Sequence, residues 1–173
     1  TGLVDCCPDT MAAARDRCDA IFKSLSTESS GQLKLISRRT NYMLNSWFHN
    51  VERLKRPKHL DNPLYIHPSD AESRQLEDGS TVRLFNEFGA LTTRIAFDET
   101  LRPGVVAMTH GWGNQGHRMK TAAKHAGTNA NVLLPSGPDS FEPFSNQSFM
   151  TGIAVDLQAA QPLAAGVAQG STH

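Results

Sequence analysis

The sequence has no surplus of charge: 17 Lys and Arg against 17 Asp and Glu leave 173 residues formally neutral. A chain without a basic field does not attract phosphate polymers from a distance, so nucleic acid is set aside as a general partner. Cysteine is scarce too. Cys6, Cys7 and Cys18 lack the paired spacing that zinc or iron–sulfur ligation needs, and reduced thiols in a cytoplasmic protein are the expectation. No apolar run is long enough for a membrane span, and the amino terminus lacks the order of a signal peptide. There is also no internal repeat of fixed period, and no Gly-x-Ser-x-Gly elbow to supply a hydrolase nucleophile.

What is present fits one domain of ordinary size. Over residues 8–25 the apolar positions Met11, Ala14, Cys18, Ile21, Phe22 and Leu25 fall on one helical face, which predicts an amphipathic helix with Pro8 in its first turn. Short segments rich in branched residues follow at 33–36, 64–66, 81–85, 91–97, 105–109, 132–134 and 153–157, each bounded by Gly, Pro, Asn or Asp. One helix followed by seven short strands predicts a mainly β domain with peripheral helices. Asn86 to Gly89 reads as a hairpin turn with Gly89 at positive φ. Ser69 and Glu72 read as a capping box opening a short helix over 70–75. Because the chain starts at Thr1, residues 1–30 are expected to lead in from a missing upstream region. The barrel is expected over 31–158, and the Ala- and Gly-rich stretch 159–173 is expected to be a flexible tail.

The long stretches 38–62 and 113–131 lack any period, and loops of that length in a compact domain usually carry function. In the first, a strand runs into Ser37, Arg38, Arg39, Thr40, Asn41 and then Asn45 and Ser46. Arginine offers a planar fork of donors for phosphate, and amides read ring edges; the plainer alternative is a solvated loop. The run Arg53, Lys55, Arg56, Lys58 reads as such a charged surface. The segment 105–117 ends a strand in His110-Gly111-Trp112-Gly113. A His-Gly turn can form an oxyanion hole, but with no nucleophile elbow that reading lapses. The alternatives left are glycines that let backbone approach a flat ligand beside His110 and Trp112, or a turn over a core Trp. His110, His117 and His125 have no metal-ligand spacing, so no metal site is expected. Asn129, Asn131 and then Gln147 add amides suited to a pterin or purine edge.

In this order these segments resemble the carboxy-terminal dinucleotide-binding domain of the molybdopterin oxidoreductases, the formate dehydrogenase, nitrate reductase and dimethyl sulfoxide reductase family. Ser37, Arg39 and the pair Asn45-Ser46 match its cofactor loop, and Leu64 to Ala71 its Pro-x-Asp-Ala turn. Arg102-Pro103-Gly104-Val105-Val106 matches its Pro-Gly-Val turn, His110 with Trp112-Gly113 its His-Trp-Gly, and Asn131, Glu142-Pro143 and Gln147 later positions. Thr151 stands where the family often has Lys, and Lys120, Lys124 and His125 lie in a loop that could supply the charge.

The resemblance implies a six-stranded double-psi β-barrel that grips molybdopterin guanine dinucleotide, carrying molybdenum or tungsten. The two-electron chemistry would belong to a longer enzyme, formate dehydrogenase-like or nitrate reductase-like. It assigns cofactor contacts to Ser37, Arg38, Arg39, Asn45, Ser46, Asp70, His110, Trp112, Gly113, Asn131 and Gln147. Arg38 and Arg39 would take the pyrophosphate, Asn45, Ser46 and Asp70 the guanosine end, and His110, Trp112, Asn131 and Gln147 the pterin. Catalytic residues, the metal ligand and any iron–sulfur cluster would lie in an upstream part, and the implied partners are those upstream domains and other redox subunits. A free-standing barrel subunit without catalysis of its own is the alternative.

Overall fold

In a computed structural model, residues 2–6, 8–29, 31–116, 118–142, 145 and 147–160 are described. Most of the segment expected as a flexible tail lies outside them. Helix α1 (Asp9–Ser26) precedes six strands: β1 (Leu33–Arg38), β2 (Leu64–Ile66), β3 (Thr81–Phe85), β4 (Ala90–Phe97), β5 (Val105–Thr109) and β6 (Ile153–Ala159). Short helices α2 (Pro68–Glu72) and α3 (Lys120–Lys124) lie between strands. The expected amphipathic helix forms, but its apolar side is exposed, with Phe22 70% accessible.

The strands close into a barrel in the order β1-β5-β2-β4-β3-β6. Closure removes the unpaired edges that such short strands would otherwise present. β1 runs parallel to β5 and β2 parallel to β4, and the other neighbours are antiparallel. Exchanging β1 with β4, β2 with β5 and β3 with β6 maps the strand order and every pairing onto themselves. Two interlocked halves of this kind, each contributing one parallel crossover, make the fold a double-psi β-barrel, as expected.

Strand alternation fills the interior. Leu64, Ile66, Val82, Leu84, Val106 and Val155 are fully buried, and Leu33, Leu35, Ile95 and Met108 nearly so. Each contributes roughly 1.5–3 kcal/mol by leaving water. Strand direction then sorts the connections. The ends of β1, β3 and β5 and the starts of β2, β4 and β6 share one rim, so residues 39–63, 86–89 and 110–152 all gather there. The opposite rim receives α2 and the turn before β5, where Asp70 Oδ2 accepts the Gly104 N–H at 2.7 Å.

Three local expectations are corrected. Residues 132–134 are not a strand: Ala130–Leu133 is a 3-10 turn capped by Asn129 Oδ1 on Asn131 N, and fully buried Leu133 plugs the barrel end. Gly89 is outside the positive-φ set. It is needed for close approach, because a Cβ there would lie 2.5 Å from Val132 O, while Asn86 Oδ1 accepts the Phe88 and Gly89 N–H groups and forms the turn. Helix α2 starts at Pro68 and is capped by the His67 side chain, which accepts from Ser69 N, in place of the Ser69–Glu72 box.

Candidate functional site

The functional rim is built from the ends of β1 and β5, which pair in register Ser37 with Met108 and Arg38 with Thr109. On β1 the period of two puts Leu33, Leu35 and Ser37 on one face and turns Arg38 to the other. Ser37 Oγ lies 2.8 Å from His110 Nδ1, and His110 Nε2 lies 2.9 Å from Asn45 Oδ1. Arg39 Nη1 donates to the same Asn45 oxygen at 2.9 Å. Asn45 holds φ of 47°, a backbone state that Asn tolerates better than most residues. This turn can form only because position 111 is glycine, since a Cβ there would lie 2.1 Å from Asn45 O.

The cluster stands beside a shallow cleft lined by Leu35, Ser37, Met108, His110, Asn131 and Leu134, among others, with a volume of about 20 Å³. That is room for about one water, far below a small-molecule pocket, so a ligand here would lie across the mouth of the cleft and along the rim. The walls are apolar and the lip is polar, so a flat ring laid over the cleft would meet apolar groups on its face and polar groups at its edge.

Not every sequence-predicted residue joins this site. Arg38 bonds Asp98 Oδ2 at 2.6 Å and its guanidinium sits 4.4 Å from the Tyr65 ring centroid, so it braces the outer barrel wall. Asp70 caps the opposite rim, as described. Trp112 is 4% exposed and packs against His49, with ring centroids 4.8 Å apart and Lys55 Nζ 4.2 Å above its ring. It is a core residue under the loops. Gly113 is required there, because a Cβ would lie 2.6 Å from Asn129 Cβ. Ser46 is exposed on the loop beside Asn45, and Gln147 is exposed with its backbone carbonyl accepting Glu142 N. Neither lines the cleft. No cluster of three metal-ligating side chains occurs among the described residues. No helix among them is long and apolar enough to cross a membrane.

Two residues that carry the rim were not singled out from sequence. Buried Asn62 donates Nδ2 to Thr109 O and Thr128 O, both at 2.9 Å, and its Oδ1 accepts Thr128 N at 2.8 Å. Fully buried His49 contacts His125 O through Nε2 at 2.9 Å, and neighbouring Asn50 accepts Ala122 N. Together they tie residues 49–62 to residues 122–128. A mid-loop Asn or His has no sequence signature for burial.

Burial holds the His49 pKa below its ordinary value, with Lys55 and His125 adding to the shift against one opposing backbone hydrogen bond. Burial and then Arg39 lower that of His110. His59 is lowered as well, by desolvation and the neighbouring Lys58, Arg56 and Lys55. A folded-state pKa below the unfolded 6.5 means the unfolded chain binds more protons as the solution acidifies. Stability is therefore expected to be complete above about pH 6.5 and to fall as the pH drops below it. Melting curves between pH 7.5 and 5.5 check this, and His49→Gln should flatten the slope; a midpoint that holds or rises on acidification would contradict it.

A closed barrel with a polar cluster beside an apolar cleft on one rim is the frame of a ligand-binding module. Residues 33–149 match the model of the family described as the "Molydopterin dinucleotide binding domain", and the chain belongs to that family. A tetrathionate reductase subunit from Salmonella typhimurium is 34% identical over 94 residues, 54% of this chain and 9% of that protein. The alpha subunit of dimethylsulfide dehydrogenase from Rhodovulum sulfidophilum is 29% identical over 84 residues, 49% of this chain and 9% of that protein. The chain thus spans only about a tenth of the length of these relatives. Among solved structures, acetylene hydratase from Pelobacter acetylenicus shares the fold with a TM-score of 0.61 at 20% identity, over 74% of this chain and 18% of that one.

Proposed function

We propose that this chain is the cofactor-gripping part of a longer molybdenum or tungsten oxidoreductase and binds molybdopterin guanine dinucleotide at the rim around Ser37. The observation that carries the reading is the junction of Ser37, His110, Asn45 and Arg39 at the lip of an apolar cleft, in a chain of this family. The donor set fits the group. Arg39 spends one N–H on Asn45 and keeps the rest of its fork for an anion, which suits a pyrophosphate. Ser37, His110 and Asn131 line the cleft, over whose mouth one ring of the cofactor would lie. When bound, the metal and its pterin supply the two-electron chemistry, and the protein holds and orients them. The remaining domains of that enzyme are the proposed partners. The relatives named above are a tetrathionate reductase and a dimethylsulfide dehydrogenase, so the finer formate dehydrogenase-like expectation draws nothing from them.

Replacing Arg39 by alanine in the enzyme that carries this domain is expected to weaken cofactor retention roughly 10- to 100-fold, the size of a lost charge-assisted pair. Arg38→Ala, which removes a wall brace, should cost stability and leave retention near wild type. Molybdenum or tungsten per mole of folded protein reads both; full metal content in the Arg39 variant would end the assignment.

A further inference from the structure

The hydrogen bonds around His110 can run in only one direction. Arginine carries no acceptor, so the Asn45 atom 2.9 Å from Arg39 Nη1 must be its oxygen. That same oxygen faces His110 Nε2 at 2.9 Å, so Nε2 must carry a proton. With the imidazole neutral, Nδ1 is then a bare acceptor. Among the described residues, the donor that meets it, at 2.8 Å, is the Ser37 hydroxyl. Ser37 Oγ is left with its lone pairs toward the cleft it lines.

We propose that Ser37 is a specificity-determining residue that accepts, and cannot donate, a hydrogen bond in the cleft. Its polarity is set through His110 and Asn45 by Arg39. The cleft therefore selects a ring that presents an N–H at this point, such as the amino-pyrimidinone edge of a pterin or guanine, over a ring presenting only a carbonyl or bare ring nitrogen. The inference rests on the cofactor reading above and adds the direction of recognition. Arg39 gains a second role, since besides meeting an anion it fixes the tautomer that Ser37 reads.

The test begins with imidazole nitrogen spectra of the isotope-labelled chain at neutral pH, with His110 assigned by its loss in His110→Gln. A single Nε2–H tautomer is expected for the wild type. Arg39→Met, which removes the donor that pins Asn45, should give an averaged mixture. An Nδ1–H form or a mixture in the wild type overturns the proposal, and so does a tautomer unmoved in a folded Arg39→Met chain. Free pterin is the ligand probe. Its binding should shift the Ser37, His110 and Asn131 resonances, and Ser37→Ala should weaken it about tenfold, the worth of one hydrogen bond. If pterin binds the cleft equally well in Ser37→Ala, the polarity rule fails and the cofactor reading stands. Absence of any shift at the cleft residues overturns both.

Discussion

Replacing Gly111 by alanine is expected to destabilise the fold by at least about 3 kcal/mol and to dismantle the Ser37–His110–Asn45 cluster. Two costs add. Gly111 has φ of +88°, and a side chain in that region carries about 1–3 kcal/mol of backbone strain. The larger cost is steric. The new Cβ would lie 2.1 Å from Asn45 O, 2.4 Å from Asn45 C and 3.0 Å from Ser46 N, all backbone atoms that no rotamer change can move. Either residues 45–46 retreat, which takes Asn45 Oδ1 away from Arg39 and His110, or the end of β5 does. Gly104 supplies the control. Its φ is +87° and nothing lies within 4 Å of a Cβ there, so Gly104→Ala reports the strain alone. Denaturant unfolding of the two variants separates the contributions. If Gly111→Ala costs no more than Gly104→Ala, the close approach has been overstated.

The same rim shows which parts of the structure a sequence can carry. β2, β3 and β5 begin and end where Pro, Gly and Asp punctuate short branched runs, and these are local signals. The apolar triplet Val132-Leu133-Leu134 has the composition of a strand. Yet Leu133 fills the barrel mouth, and the difference between strand and plug lies in what sits opposite, which no window of sequence contains. Arg38 and Arg39 were both expected on the pyrophosphate, although strand alternation alone could have separated them. Counting by twos from Leu33 puts Ser37 and Arg39 in phase with the core and Arg38 out of phase with it. Trp112 was open to two readings because an aromatic after a strand end serves equally as ligand platform or loop core. The pairing with His49, some sixty residues earlier, decided for the core.

Asn62→Ala should be the most damaging polar substitution in the rim, at about 2–4 kcal/mol, because one buried and two partly buried backbone groups lose their partner at once. The side chain is 2% exposed, so water cannot replace it. Thr109 O, Thr128 O and Thr128 N would each be stranded at about 1–3 kcal/mol, partly relieved by local shifts. Aspartate is no rescue: its second oxygen would face the two carbonyls that Nδ2 now satisfies, and a carboxylate would be buried without a cation beside it. The fit is close enough that Gly127 must lack a Cβ, which would otherwise sit 2.5 Å from Asn62 Oδ1. The consequence reaches the cleft, because Thr128 leads directly into Asn129, which caps the turn carrying Asn131. Asn62→Ala is thus expected to expose the Thr128 amide to hydrogen exchange, while amides of the β3–β4 hairpin keep their relative order of protection. Loss of cofactor retention should follow, although Asn62 lines no part of the cleft. A Thr128 amide as protected as in the wild type, or a stability loss under about 1 kcal/mol, would mean the rim is held by its apolar contacts instead.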